Sequence, residues 1–185
     1  METQQTKELC ASYYSKCKSR KNAEFLSKVM ASWTLGLGVL PEYAGMSEIL
    51  FRKMINDYFI GIEFAENAVS GFTRDPSREE ERQNLIELLM QHRARDSDSE
   101  IIVAEIIASA CLGNDHLWQD TGLWSRKDLS QVMSDNFLTL FQKNNKDMKW
   151  KKFLYKQLCD TEGIYVCRSP SCEVCDDYAK CFGPE

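Results

Sequence analysis

Apolar residues recur along this chain at the three- and four-residue spacing of helix faces, and no stretch of similar strength alternates with the period of a strand. Phe25, Leu26, Val29, Met30 and Trp33 form the first stripe, with Asn22 placed to cap it and Gly36 and Gly38 to stop it. Pro41 to Gly45 reads as a turn or short helical piece, and Ser47 as the cap of a helix carrying Leu50, Phe51, Met54, Ile55 and Tyr58. Residues 59–74 show no clear period. Asp75-Pro76 then starts a helix whose Leu85, Ile86, Leu88 and Leu89 face inward. Its early Glu79, Glu80 and Glu81 and late Arg93 and Arg95 complement the helix dipole on a solvated face.

Ser97 and Glu100 have capping-box spacing for the next helix, which is apolar almost all round from Ile101 to Leu112 before Gly113 ends it. A helix without a polar face reads as a central, buried one. Another helix starts at Ser125, carries Leu129, Val132, Met133, Phe137, Leu140 and Phe141, and fades at Asn144-Asn145. The last runs from Asp147 to Glu162, with Trp150, Phe153, Leu154 and Leu158 on one side. The pattern predicts an all-α protein of about six to seven helices. A single helical domain over residues 22–163 would stand between a polar N-terminal segment, 1–21, and a cysteine-rich metal-binding tail, 164–185. At 185 residues and 43% hydrophobic content, such a chain buries a core without needing disulfide staples.

The tail changes the picture from fold to chemistry. Cys167, Cys172, Cys175 and Cys181 are spaced C-x4-C-x2-C-x5-C, short loops that let several thiolates converge on one soft metal centre. The first three match the start of the plant-type iron–sulfur spacing. Pro170 with Ser169 and Ser171 favours tight turns, whose backbone N–H groups can hydrogen-bond to sulfur. Zinc and an iron–sulfur cluster both accept four cysteines at this spacing. Disulfides are the third reading, and the expected compartment weakens it. The start of the chain lacks a basic then apolar leader, and no apolar run approaches the roughly 18 residues of a membrane span, so a cytoplasmic location is expected. Thiols in a reducing cytosol are more often ligands than bridges. The net charge of -5 argues against a general nucleic-acid binder.

Other candidates lie upstream. Between residues 146 and 156 five lysines stand against one aspartate, and a field of that sign attracts an oxyanion or an acidic partner; Lys149, Lys152 and Lys156 form the stripe. His116, in the polar and aromatic loop Asn114 to Asp120, can ligate a metal or fix its loop. Cys159, eight residues before Cys167, is a ligand or core candidate. Cys111 reads as a small buried hydrophobe, and Cys10 and Cys17 as incidental neighbours on one helical face. His92 reads as structural. No catalytic triad, phosphate loop or His-Glu-His metal motif is present, which points away from an enzyme.

Three patches resemble the NifQ family of nitrogen-fixation proteins. One is Asp147-Met148-Lys149-Trp150-Lys151-Lys152-Phe153 with Gln157-Leu158-Cys159 and Glu162-Gly163. The second is the end of the tail, from Cys175-Asp176-Asp177-Tyr178 to Cys181-Phe182-Gly183-Pro184-Glu185. The third is Asp115-His116-Leu117-Trp118-Gln119-Asp120 with Gly122-Leu123 and Ser125-Arg126. The likeness is strong over residues 85–185 and carried mainly by Asn-x-x-Phe and Gly-x-x-x-Leu-Pro over 22–60. It implies a molybdenum–iron–sulfur cluster on Cys167, Cys172, Cys175 and Cys181, where the family's cysteine motif stands intact. It also implies donation of molybdenum to assembly of the nitrogenase iron–molybdenum cofactor, with the assembly scaffold and its reductase as acceptors. As an extension from position alone, Lys149, Lys152 and Lys156 would draw molybdate toward the cluster, with Cys159 and His116 as auxiliary ligands. A zinc-stabilised interaction module and a ferredoxin-like electron carrier are the alternatives.

Overall fold

The nearly uniform apolar helix expected from Ile101 to Leu112 lies at the centre of the structure. A computed structural model describes residues 2–17, 20–64, 72–162 and 181. Among them are nine α-helices, two 3-10 turns and no strand. In order these are α1 (Gln4–Cys17), α2 (Ala23–Thr34), a 3-10 turn (Glu42–Gly45), α3 (Glu48–Tyr58), a second 3-10 turn (Pro76–Arg78) and α4 (Glu79–Gln91). Then follow α5 (Asp98–Cys111), α6 (Leu117–Asp120), α7 (Arg126–Asn136), α8 (Leu138–Lys143) and α9 (Trp150–Glu162). Helix α5 is buried on nearly every side, packed by α4, α6 and the first 3-10 turn; α1 lies on α2, and α9 on α4. The all-α expectation holds. None of the described helices is long and apolar enough to cross a membrane.

The helix count exceeds the expected six to seven for local reasons. The polar segment before Asn22 includes α1, which buries Thr6, Cys10, Tyr13 and Cys17 at helical spacing on one face. Burial there pushes the Cys10 thiol up to about 11. The expected helix from Ser125 is broken at Phe137, whose ψ of 54° leaves the helical region. The preceding carbonyl, on Asn136, accepts the Ala94 N–H at 2.8 Å from the chain leaving α4. The last helix begins at Trp150, because Asp147 has φ 54° and the Asn144 side chain closes a turn on Met148, with hydrogen bonds of 2.8 and 2.9 Å.

Some caps form as expected. Ser47 accepts the Leu50 N–H at 3.3 Å and Ser125 the Asp128 N–H at 3.1 Å. Asp75 accepts the Ser77 N–H at 2.9 Å and opens the turn that leads into α4. Asn22 does not cap α2. It sits at φ 62°, and its amide exchanges two hydrogen bonds of 2.9 Å with buried Asn136, tying the start of α2 to the end of α7. The Ser97–Glu100 box is also replaced. Glu100 is fully buried, and its carboxylate accepts the Arg95 N–H at 3.0 Å and the Lys21 ammonium at 2.8 Å, a long-range demand that outweighs the local cap.

The charged run on α4 is more than a solvated face. Arg82 is buried between Glu79, at 2.6 Å, and Glu105 of α5, at 2.5 Å, and so joins the two helices. Hydrogen bonds from Arg82 hold the Glu79 carboxyl down at about 2. Phe51, Phe59, Phe64, Trp33 and Tyr13 fill the other end of the core with tilted and edge-on ring contacts.

A close approach fixes the first 3-10 turn on α5. Ser109 donates to the Gly45 carbonyl at 3.0 Å, and a β-carbon on Gly45, at φ +84°, would lie 2.4 Å from the Ser109 Oγ. Gly45→Ala is expected to cost about 1–3 kcal/mol by overpacking beyond its backbone strain. Gly61→Ala, at φ +79° with open space around it, supplies the strain alone, about 1–2 kcal/mol. Urea unfolding midpoints compare the two, and equal losses would remove the Ser109 contact as a determinant.

Candidate functional site

Where α5 ends, the chain turns through Asn114, Asp115 and His116 into α6, and one buried carboxylate shapes that turn. Asp120, the last residue of α6, is 1% exposed. It accepts the Asp115 N–H at 3.0 Å and forms an ion pair with Lys151 of α9, while Lys151 also donates to the Gly113 carbonyl at 2.9 Å. Gly113 is required by this packing, since a β-carbon there would fall 2.5 Å from the Asp120 carboxylate. The Asp120 backbone carbonyl takes the Val39 N–H at 3.0 Å, so the loop beyond α2 is held as well. Burial raises the Asp120 carboxyl above its ordinary range, and the Lys151 hydrogen bond and charge pull it part of the way back.

Helix α9 is docked beside this turn by its own sequence. Trp150, Phe153 and Leu154 enter the core, and the Trp150 indole donates to Ser130 at 3.1 Å. Tyr155 reaches the Glu81 carboxylate and the Cys111 carbonyl, the latter at 3.3 Å, and Arg78 donates to the Leu112 carbonyl at 2.7 Å. With that face committed, Lys149 and Lys152 are turned toward the loop. The result is a cleft of about 320 Å3 with Asn114, Asp115, His116 and Leu117 on one wall and Lys149, Lys151 and Lys152 on the other.

Three of the residues singled out by sequence therefore share one cleft: His116, Lys149 and Lys152. A fourth adjoins it. The Cys181 carbonyl accepts the Lys149 N–H at 2.8 Å, and half-buried Cys181 packs against the core. Cys167, Cys172 and Cys175 lie outside the described residues. Lys156 is exposed one turn further along α9 and Cys159 is half-buried nearer its end; neither lines the cleft. Cys111 is buried, its thiol pushed up to about 12 by burial, which suits a core role and opposes a thiolate ligand. His92 is a structural histidine, 2.7 Å from the Thr139 hydroxyl, with its imidazole pKa lowered by burial and by Lys143. Among the described residues no three His, Cys, Asp or Glu side chains converge as a metal site.

Sequence reasoning passed over Asp120 and Lys151. A signal existed: Lys151 is three and four residues before Leu154 and Tyr155, on the buried edge of the helix, where a lysine needs a partner.

The NifQ family model matches residues 25–183. The chain belongs to the NifQ family. NifQ of Azotobacter vinelandii is 39% identical over 176 residues, 90% of each chain. NifQ of Rhodobacter capsulatus is 32% identical over 161 residues, 86% of this chain and 87% of the other. NifQ of Klebsiella pneumoniae is 45% identical over 107 residues, 57% of this chain and 62% of that one. No solved structure matches. The NifQ match takes in α2 to α9 and the whole cysteine motif, and membership carries a role in nitrogen fixation.

Lys151→Met would leave Asp120 buried without its counter-charge and is expected to destabilise the fold by about 3 kcal/mol at pH 7. The Asp120 carboxyl would then rise further above its unfolded value. Stability linked to a raised carboxyl is present below the unfolded pKa and lost as pH rises through the folded one, so the deficit should shrink toward about pH 4. Urea unfolding across pH checks this; a pH-independent deficit would mean that Asp120 is not the group left unpaired.

Proposed function

We propose that this NifQ-family chain carries a molybdenum–iron–sulfur cluster on Cys167, Cys172, Cys175 and Cys181 and gives up molybdenum to assembly of the nitrogenase iron–molybdenum cofactor. The observation that carries the reading is the C-x4-C-x2-C-x5-C spacing inside the region matched to NifQ. The donor set suits the cargo: four thiolates are soft ligands for iron and for reduced molybdenum. The position of Cys181 supports it further. Cys181 is bonded to the chain just before α9, a 13-residue helix whose first N–H groups favour negative charge, and a thiolate-bound cluster is anionic.

The cluster is cargo in this reading, and the protein is a carrier rather than a catalyst. It works in the cytoplasm, takes molybdenum from molybdate and meets the cofactor-assembly scaffold and its reductase as acceptors. The chain's residues hold the cluster through the tail thiolates, while the helical body supplies the docked α9, whose start is hydrogen-bonded to Cys181.

Elemental analysis of anaerobically purified protein from molybdate-fed cells tests this, beside a Cys172→Ala/Cys175→Ala variant. Iron and molybdenum together in the parent, both lost in the variant, are the expected result. Zinc alone near about one per chain would make the tail a structural knuckle. An iron-only cluster that cycles without losing metal would make the chain an electron carrier.

A further inference from the structure

We infer that the cleft between the 114–117 turn and the start of α9 is a binding site for a tetrahedral oxyanion, distinct from the cysteine motif. The naming of molybdate as its occupant rests on the donor reading above; the oxyanion chemistry rests on the cleft itself.

The charge of the cleft decides the class of ligand. Lys149 and Lys152 line one wall, and among the described residues neither ammonium has an ion-pair partner. Lys151 is different: its charge is consumed by buried Asp120. On the opposite wall the Asn114 amide offers hydrogen-bond donors, and the first turn of α9 follows Lys149 directly in sequence. Among the described residues that line the cleft, Asp115 is the one carboxylate, and it sets an exposed negative charge against the two lysines. Among the described lining residues the balance is positive. It repels a bare metal cation and favours a compact dianion, which a concave site meets from several sides at once.

Geometry supports a site rather than a diffuse field. The Asp120–Lys151 pair and the Asp115 N–H bond hold the loop wall in place before any ligand arrives, so binding need not order it. Location gives the site its use. Molybdate is a hard oxyanion suited to ammonium and N–H donors, whereas the cysteines suit the reduced, sulfur-bound metal. The Lys149 N–H on the Cys181 carbonyl, at 2.8 Å, puts the hard site and the last soft ligand in adjoining segments.

Equilibrium dialysis of the metal-free full chain against molybdate tests the proposal, with bound molybdenum read by elemental analysis and folding of each variant by circular dichroism. About one molybdate per chain is expected. Lys149→Met and Lys152→Met should each weaken it about tenfold, and Lys156→Met by less than about twofold. Sulfate should compete, and chloride at the same ionic strength should not. An equal loss from Lys156→Met would reduce the effect to the general field of α9. No loss from Lys149→Met and Lys152→Met would place the anion elsewhere. Loss of binding in Cys172→Ala/Cys175→Ala would put molybdate on the thiolates and overturn the separate site. Zinc in the purified protein would defeat the donor reading alone, since the dialysis is done without metal.

Discussion

A single buried ion pair, Asp120 with Lys151, sets the relation between the helical body and the candidate site. Asp120 takes the Asp115 N–H, Lys151 takes the Gly113 carbonyl, and together they clamp the exit of α5, the turn into α6 and the first turn of α9. Burial raises the Asp120 carboxyl even with Lys151 against it, the sign expected when desolvation outweighs Coulombic gain. The pair's contacts join the loop wall of the cleft to the lysine wall.

That arrangement explains why four neighbouring lysines behave differently. Lys151 faces the core edge and is spent on structure, Lys149 and Lys152 face the cleft, and Lys156 has moved past it to solvent. A helix advances about 100° per residue, so adjacent lysines cannot share a partner. The docked face of α9, with Trp150, Phe153, Leu154 and Tyr155, fixes which of them meets the loop.

Much of the fold was legible in the chain. The α2 stripe, the caps at Ser47, Asp75 and Ser125, and the buried character of α5 all follow from local chemistry and helical period. The misses share a cause. Asn22, Glu100, Arg82 and the Asn136 carbonyl each had a plausible local partner, and each is used by a residue far away in sequence, where burial makes an unpaired polar group costlier than a lost cap. The first helix was read as merely polar because its buried face holds Thr6, Cys10, Tyr13 and Cys17, none of them a strong apolar marker.

What the sequence determined by itself was the helical class, the four cysteines at ligand spacing, the family resemblance, and the basic stripe with a histidine loop some thirty residues upstream. Those are properties of composition, period and short-range spacing. Only the tertiary structure decided that His116, Lys149 and Lys152 line one cleft, that Lys151 belongs to Asp120, and that Cys181 is bonded to the residue before α9. Such pairings depend on how helices dock, and docking is set by the sum of buried faces, a quantity no single segment carries.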